Sequence, residues 1–230
     1  MPQNNPDSSK YQLYDRLLKE IEPILLSWQK QDRLRPPKFN IFLALGHAYR
    51  EVSTHSAMLV HLLDPDASHA QSTIFLNNFL EIVKEAAVQQ GKQLQISPAT
   101  DSSRWRCQKE VPLPDGLGQA DIILRGPDLL ILIENKIFAN DQHEQLQRYW
   151  KFAKEEALEA NILPLIIYLT PYGHPPEQHS SGDSVQLQRS LILLSYHEHI
   201  YRMIENSRLE IKAVSVSEVL RQYAMLVRSL

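Results

Sequence analysis

The sequence predicts an α/β protein, and three observations carry that prediction. Up to Gly91 the apolar residues recur at helical spacing; beyond it the texture turns to short aliphatic runs; and one of those runs, "LLILIENKI" at 129–137, leads straight into another helical pattern. Strand and helix signals in that order argue for a sheet covered by helices.

The elements follow in chain order. Residues 10–31 place Tyr14, Leu17, Leu18, Ile21, Ile24 and Leu25 at helical spacing, interrupted by Pro23, and "RPP" at 35–37 breaks the chain. This divides an N-terminal helical extension, 1–39, from a main domain, 40–230. "NIFLALGHAYREVSTHSAMLVHLLDP" reads as a helical region ending before Pro65 and bent near Ser53 and Thr54, which leaves the setting of Glu51 open between helix and kink. "TIFLNNFLEIVKEAAVQQG" puts Phe75, Phe79, Ile82, Val83 and Ala86 on one stripe, with Gly91 as a C-terminal cap. Strands are expected over 104–113, 119–125 and 129–137, the last two joined tightly through "GPDL". Asp141 and Glu144 make a capping-box pattern ahead of a helix with Leu146, Tyr149, Trp150, Ala153 and Ala157 inward. "LPLIIYLT" and "SLILLSY" are unbroken apolar runs of the kind a covered sheet buries. Ser215 and Glu218 are expected to cap a last helix that turns Val219, Leu220, Tyr223, Ala224 and Val227 inward.

With 43% hydrophobic and 22% charged residues among 230, the composition is that of an ordinary globular chain. The one cysteine, Cys107, excludes an internal disulfide, and no apolar run is long enough to span a bilayer, so no membrane is expected and the cytoplasm is the expected location. A net charge of −3 gives no global basic field. It does not exclude nucleic acid, because an acidic site that holds divalent cations reverses its local sign. Lys30, Arg33, Arg35, Lys38 and Arg50 make a modest basic patch that reads as solvated surface.

A run of aliphatics that continues into Glu134, Asn135 and Lys136 puts charge where a buried strand avoids it. If strands two and three form a hairpin with Arg125 opposite Leu130, Asp121 falls opposite Glu134, and Lys136 shares their face while Asn135 points away. Two opposed carboxylates need compensation. A structural ion pair with Lys136 is one answer; a divalent cation such as Mg²⁺, held by one or two carboxylates, is the other.

"D-x12-E-N-K", from Asp121 through Glu134 to Lys136, resembles the signature of the PD-(D/E)xK nuclease superfamily. Gln145 and Tyr149 in "QLQRY" resemble the Q-x-x-x-Y motif of its RecB-like branch, and "EVSTHSAMLVHLLDP" followed by His69 is similar to the helical segment of a prokaryotic PD-(D/E)xK family. Ala120 stands where the nominal signature has proline. The resemblance implies a restriction-endonuclease-like fold, a mixed central β-sheet flanked by helices, over about 40–230. It implies a metal-dependent nuclease, with DNA ahead of RNA as substrate and Mg²⁺, or Mn²⁺ in its place, as cofactor, working by in-line attack of a metal-activated water. Asp121, Glu134, Glu51 and the backbone carbonyl of Asn135 would hold the metal or its water shell. Lys136 would position the water and stabilise the phosphate, Gln145 would orient Lys136 or a metal water, and Tyr149 would touch a phosphate. The alternative is a catalytically silent nucleic-acid-binding or assembly subunit of a restriction or phage-defence system, and the N-terminal helix leaves room for a homodimer or a partner protein.

The remaining polar residues carry blander readings. His47, His55, His61 and His69 lie close in sequence without any zinc-ligand spacing, and packing is their expected use, although His55 at i+4 from Glu51 could orient it. The loop 171–184 carries no recognisable chemistry.

Overall fold

A computed structural model of the protein describes residues 6–34, 36 and 38–230; Arg35 of the basic patch lies outside the described residues. Backbone proximity divides the chain into two units, Met1–Asn40 and Ile41–Leu230.

In the first unit, helix α1 runs from Pro6 to Leu34 and continues through Pro23. On the helical wheel Pro23 sits opposite the apolar face, which Tyr14, Leu18, Ile21, Leu25 and Trp28 make with each side chain more than two-fifths exposed. The interruption expected at Pro23 does not occur: α1 is one continuous helix through it.

The second unit begins with a single short turn, α2 (Ile41–Ala44). The bend expected near Ser53 takes the form of a π-helical turn, Glu51–Ser56, that runs directly into α3 (Ala57–Leu63). Such turns widen the helix by one residue and cost regular hydrogen bonding, so they concentrate at functional positions. Helix α4 (Ile74–Gln89) buries Phe75, Phe79, Ile82, Val83 and Ala86. It ends as expected, with Gly91 at φ +73° and the Lys92 amide donating to the Ala87 carbonyl at 2.8 Å.

The sheet holds β1 (Arg106–Leu113), β2 (Gly118–Arg125), β3 (Leu129–Asn135), β4 (Leu163–Thr170) and β5 (Leu191–Ser195) in that spatial order. Antiparallel pairing joins β1 to β2 and β2 to β3, and parallel pairing joins β3 to β4 and β4 to β5. The central strand β3 is buried at all seven positions, so an unbroken aliphatic run is what it requires. The β2–β3 turn closes with the Gly126 amide on the Leu129 carbonyl at 2.8 Å. Trp105 covers that turn so closely that a Cβ on Gly126 would come within 2.5 Å of its ring, which is why the turn carries a glycine.

Helix α5 (Gln145–Ala160) makes the crossover from β3 to β4. It is followed after β4 by the short helices α6 (Gln178–Ser181) and α7 (Val185–Ser190). A second π-helical turn, Tyr196–Ile200, leads from β5 into α8 (Tyr201–Glu210), and α9 (Val214–Val227) ends the unit. Alternate sheet residues feed two cores. Ile122, Leu124, Ile131 and Ile133 pack with α3, α4, α8 and α9, while Ile123, Leu130 and Leu132 pack with Leu146, Tyr149 and Ala153 of α5.

Two expected caps do not form. Helix α5 starts at Gln145, behind Glu144 in a left-handed conformation, because the Asp141 carboxylate instead accepts from the Tyr168 hydroxyl and the Glu177 amide, both at 2.7 Å. Helix α9 starts at Val214, and Glu218 is engaged by Arg221 and Gln222; Val219 is 42% exposed rather than inward.

Candidate active site

Strand alternation selects the face on which the charges meet. In β3, Leu130, Leu132 and Glu134 share the face under α5, and in β2, Ile123 and Asp121 share it. The register pairs Arg125 with Leu130 and Ile122 with Ile133; one step further sets Asp121 across from Glu134, as the hairpin count requires. At that step the ladder ends, and the Asp121 carboxylate takes the place of a backbone acceptor: Asn135 N–H donates to its Oδ2 at 2.8 Å.

Lys136 Nζ lies 2.9 Å from Glu134 Oε1, with the two side chains only 7% and 1% exposed. The contact is a buried ion pair, and both Glu134 oxygens are shut off from solvent. Burial, with the Asp121 charge second, raises the Glu134 carboxyl to about 7. Burial raises Asp121 to about 6, against the lowering pull of the Asn135 amide and Lys136. The two carboxyls therefore titrate as a unit and retain a proton toward neutral pH that exposed carboxyls would have lost. For Lys136, burial favours the neutral amine, but Glu134, Asp121 and Glu51 together outweigh it, and the ammonium is held above its ordinary range. It is a fixed cation, not a base.

Glu51 reaches the same cavity from the π-helical turn. Its Oε2 accepts from the amides of Ile137 at 2.6 Å and Phe138 at 3.2 Å, just beyond β3. His55 does not orient it through a hydrogen bond, since its ring nitrogens meet the Ala48 carbonyl at 3.0 Å and the Tyr223 hydroxyl at 3.3 Å. His69 is likewise engaged by the Asp64 carbonyl and the Gln71 amide. Gln145 and Tyr149, one turn apart on α5, both face the cavity. The Gln142 amide donates to Gln145 Oε1 at 3.4 Å, and the Tyr149 hydroxyl donates to the Gln119 carbonyl at 2.6 Å. Tyr149 is thus a core aromatic and a cavity wall at once.

Behind the face, Asn135 is held by two buried groups. Its amide nitrogen donates to Ser56 Oγ at 2.9 Å, and its carbonyl oxygen accepts from the Tyr196 hydroxyl at 2.9 Å. These bonds tie the end of β3 to both π-helical turns.

The cavity has a volume of about 310 Å³ and is lined by Glu51, Asp121, Glu134, Lys136, Gln145 and Tyr149, joined by Glu110, Gln119 and Arg148. Sequence reasoning missed the last three. Glu110 stands in β1 at the position facing Asp121, between the pairs Lys109–Ile122 and Val111–Ala120, with a left-handed φ of +51°. Pairing the first strand with the second would have exposed it. Arg148 reaches back to the carbonyls of Leu117 and His143. Its place one position before Tyr149 carried no signal of that reach.

The family model describing the PD-(D/E)XK nuclease superfamily matches residues 39–225. The chain belongs to the PD-(D/E)XK nuclease superfamily. No match was found among curated proteins or among solved structures. The five-stranded mixed sheet flanked by helices is consistent with the restriction-endonuclease-like fold expected of a PD-(D/E)XK nuclease, a family that typically uses divalent metals. The donor chemistry fits such an ion: Glu134, paired with Lys136 through Oε1, and Asp121 offer carboxylate oxygens on one face, and hard oxygen ligands suit Mg²⁺. Among the described residues no three His, Cys, Asp or Glu side chains converge as a ligand set, so protein carboxylates alone do not enclose an ion here. No helix among the described residues is long and apolar enough to cross a membrane.

Proposed function

We propose that this PD-(D/E)XK protein is a divalent-metal-dependent nuclease that hydrolyses phosphodiester bonds in DNA. The observation that supports this most is the Glu134 carboxylate, buried opposite Asp121 with Lys136 2.9 Å away as its paired cation. Two carboxyls buried side by side are costly, and a cation bound between them would offset that cost beyond what the one ammonium of Lys136 supplies. Mg²⁺, or Mn²⁺ in its place, held by Asp121, Glu134 and the Asn135 backbone carbonyl with Glu51 completing its water shell, would supply Lewis acidity and lower the pKa of a bound water.

The chain's own groups do the rest. Lys136, held as an ammonium, offsets the negative charge that grows on the phosphate as a water attacks in line, and positions that water by donation. Being charged, it does not remove the proton. Glu51, fixed by two amides through Oε2, is a rigid acceptor at the cavity wall. Gln145 orients the ammonium or a water, and their shared turn of α5 underlies the likeness of Gln145 and Tyr149 to the RecB-like branch. Contact between Tyr149 and a phosphate requires exchange of its bond to the Gln119 carbonyl.

The proposal extends to partners and place. Along α1, Tyr11, Tyr14, Leu18, Ile21, Leu25 and Trp28 recur at alternating steps of three and four, the spacing of a helix–helix seam, and support a homodimer or a partner protein. The buried free thiol of Cys107 suits the cytoplasm. The proposed setting for such an enzyme is restriction or phage defence, where a nuclease of this kind would act within a larger system.

The test is to incubate the purified chain with Mg²⁺ or Mn²⁺ on linear, circular and single-stranded DNA and on RNA. Asp121→Ala and Lys136→Ala are expected to lower cleavage by about 100-fold or more. Cleavage that persists in both variants removes the assigned site. Binding without any cleavage supports instead the silent nucleic-acid-binding or assembly subunit.

A further inference from the structure

Two aromatic side chains flank the Glu51 wall of the cavity and belong to neither core. Tyr49 is 63% exposed and Phe138 is 59% exposed, yet their rings lie edge to face with centroids 6.1 Å apart and planes at 66°. Tyr49 stands two residues before Glu51, and Phe138 lies between Lys136 and Ala139, both of which line the cavity. The Phe138 amide itself donates to Glu51 Oε2, so the ring is anchored to the wall that carries a site carboxylate. Scattered exposed aromatics need no explanation, but an adjoining pair whose chain neighbours Glu51, Lys136 and Ala139 line a polar cavity does.

We infer that Tyr49 and Phe138 form a stacking corner for a nucleobase of an unpaired strand, next to the phosphodiester that the cavity receives. This rests on the nuclease reading of the same site and names its substrate form. Two rings meeting at 66° offer a face for stacking and a second wall for the base edge, and every base has a face that such a surface accepts. The setting selects a base over other occupants: the cavity beside it holds Lys136, to which the nuclease reading gives the phosphate, and the neighbouring bases of a duplex, stacked on one another, cannot enter a corner of this kind. A double-stranded substrate would therefore have to fray or be unwound at the point of contact.

The experiment measures binding of the full chain without divalent metal, so that nothing is cut. Fluorescence anisotropy compares a labelled twelve-nucleotide oligo-deoxyadenylate with a strand of equal phosphate number built of abasic spacers; oligo-adenylate RNA and a blunt duplex are further arms. The base-bearing strands are expected to bind about tenfold tighter than the abasic strand and the duplex, with Tyr49→Leu and Phe138→Leu abolishing that ratio and Tyr49→Phe preserving it. Leucine keeps apolar contact, so a merely structural role would leave the ratio unchanged. Equal affinity for the base-bearing and abasic strands, or an unaltered ratio in both leucine variants, overturns the inference. Cleavage is scored separately. A wild-type chain that cuts but shows no ratio refutes the corner alone, whereas one that shows the ratio and never cuts refutes the hydrolytic reading and upholds the corner.

Discussion

At the residue scale, Glu134 concentrates the electrostatics of the molecule. Its carboxyl is raised to about 7 and that of Asp121 to about 6, both above their unfolded values, chiefly by burial. A carboxyl whose folded pKa is raised binds its proton more tightly in the folded state, so its stabilising effect is full below the unfolded value and is lost as pH rises through the folded one. Metal-free protein is therefore expected to lose thermal stability between about pH 4 and pH 7 relative to a Glu134→Gln variant, whose amide does not titrate. Adding Mg²⁺ at pH 7.5 should raise the melting temperature of the wild type and leave that of Glu134→Gln much less changed. Parallel pH profiles for the two proteins would remove the pair as the source.

Asn135 makes the complementary case on the other face of the strand. Asn135→Ala strips partners from both Ser56 and Tyr196, two buried hydroxyls, and is expected to cost about 3 kcal/mol in urea unfolding. A midpoint within error of the wild type would show that water replaces the amide.

At the element scale, the residues legible in the sequence were those whose neighbours are set by local geometry. The β2–β3 register follows from a tight turn and strict alternation, and so Asp121, Glu134 and Lys136 could be brought together before any fold was drawn. Asp141 failed as a helix cap for the opposite reason. Its true partners, Tyr168 and Glu177, are 27 and 36 residues further along, and no local pattern announces a carboxylate already committed at that distance. The π-helical turn at Glu51 is hidden from the sequence for a related cause: its widened geometry is supported by amides of Ile137 and Phe138, which lie just beyond β3. Glu110 has no local signal either, because it reaches the site only through the pairing of β1 with β2, at a residue with φ +51° that interrupts that pairing.

At the scale of the whole molecule, the division at residue 40 and the content of the cores agree in one respect. Among the described residues, every buried residue of both cores, and every partly buried residue packed against them, comes from position 42 onward. A chain beginning at residue 39 is therefore expected to unfold in one cooperative transition with a midpoint close to that of the full chain, as read by circular dichroism in denaturant. A loss of cooperativity would mean that the first unit contributes to the stability of the second. The same truncation should abolish self-association if α1 carries it.

The tight turn between β2 and β3 also bears on the order in which the molecule comes together. A hairpin closed over so short a connection is a fast, local event, whereas β4 joins β3 only after the long α5 crossover. Asp121, Glu134 and Lys136 thus become neighbours while still hydrated, when the repulsion between the two carboxylates is small. The energetic burden of the site falls on the later step, when α5 seals it from water. Chemistry assembled in the quickest part of the chain is charged to the slowest, and the nascent hairpin can gather its charges without hindering its own formation.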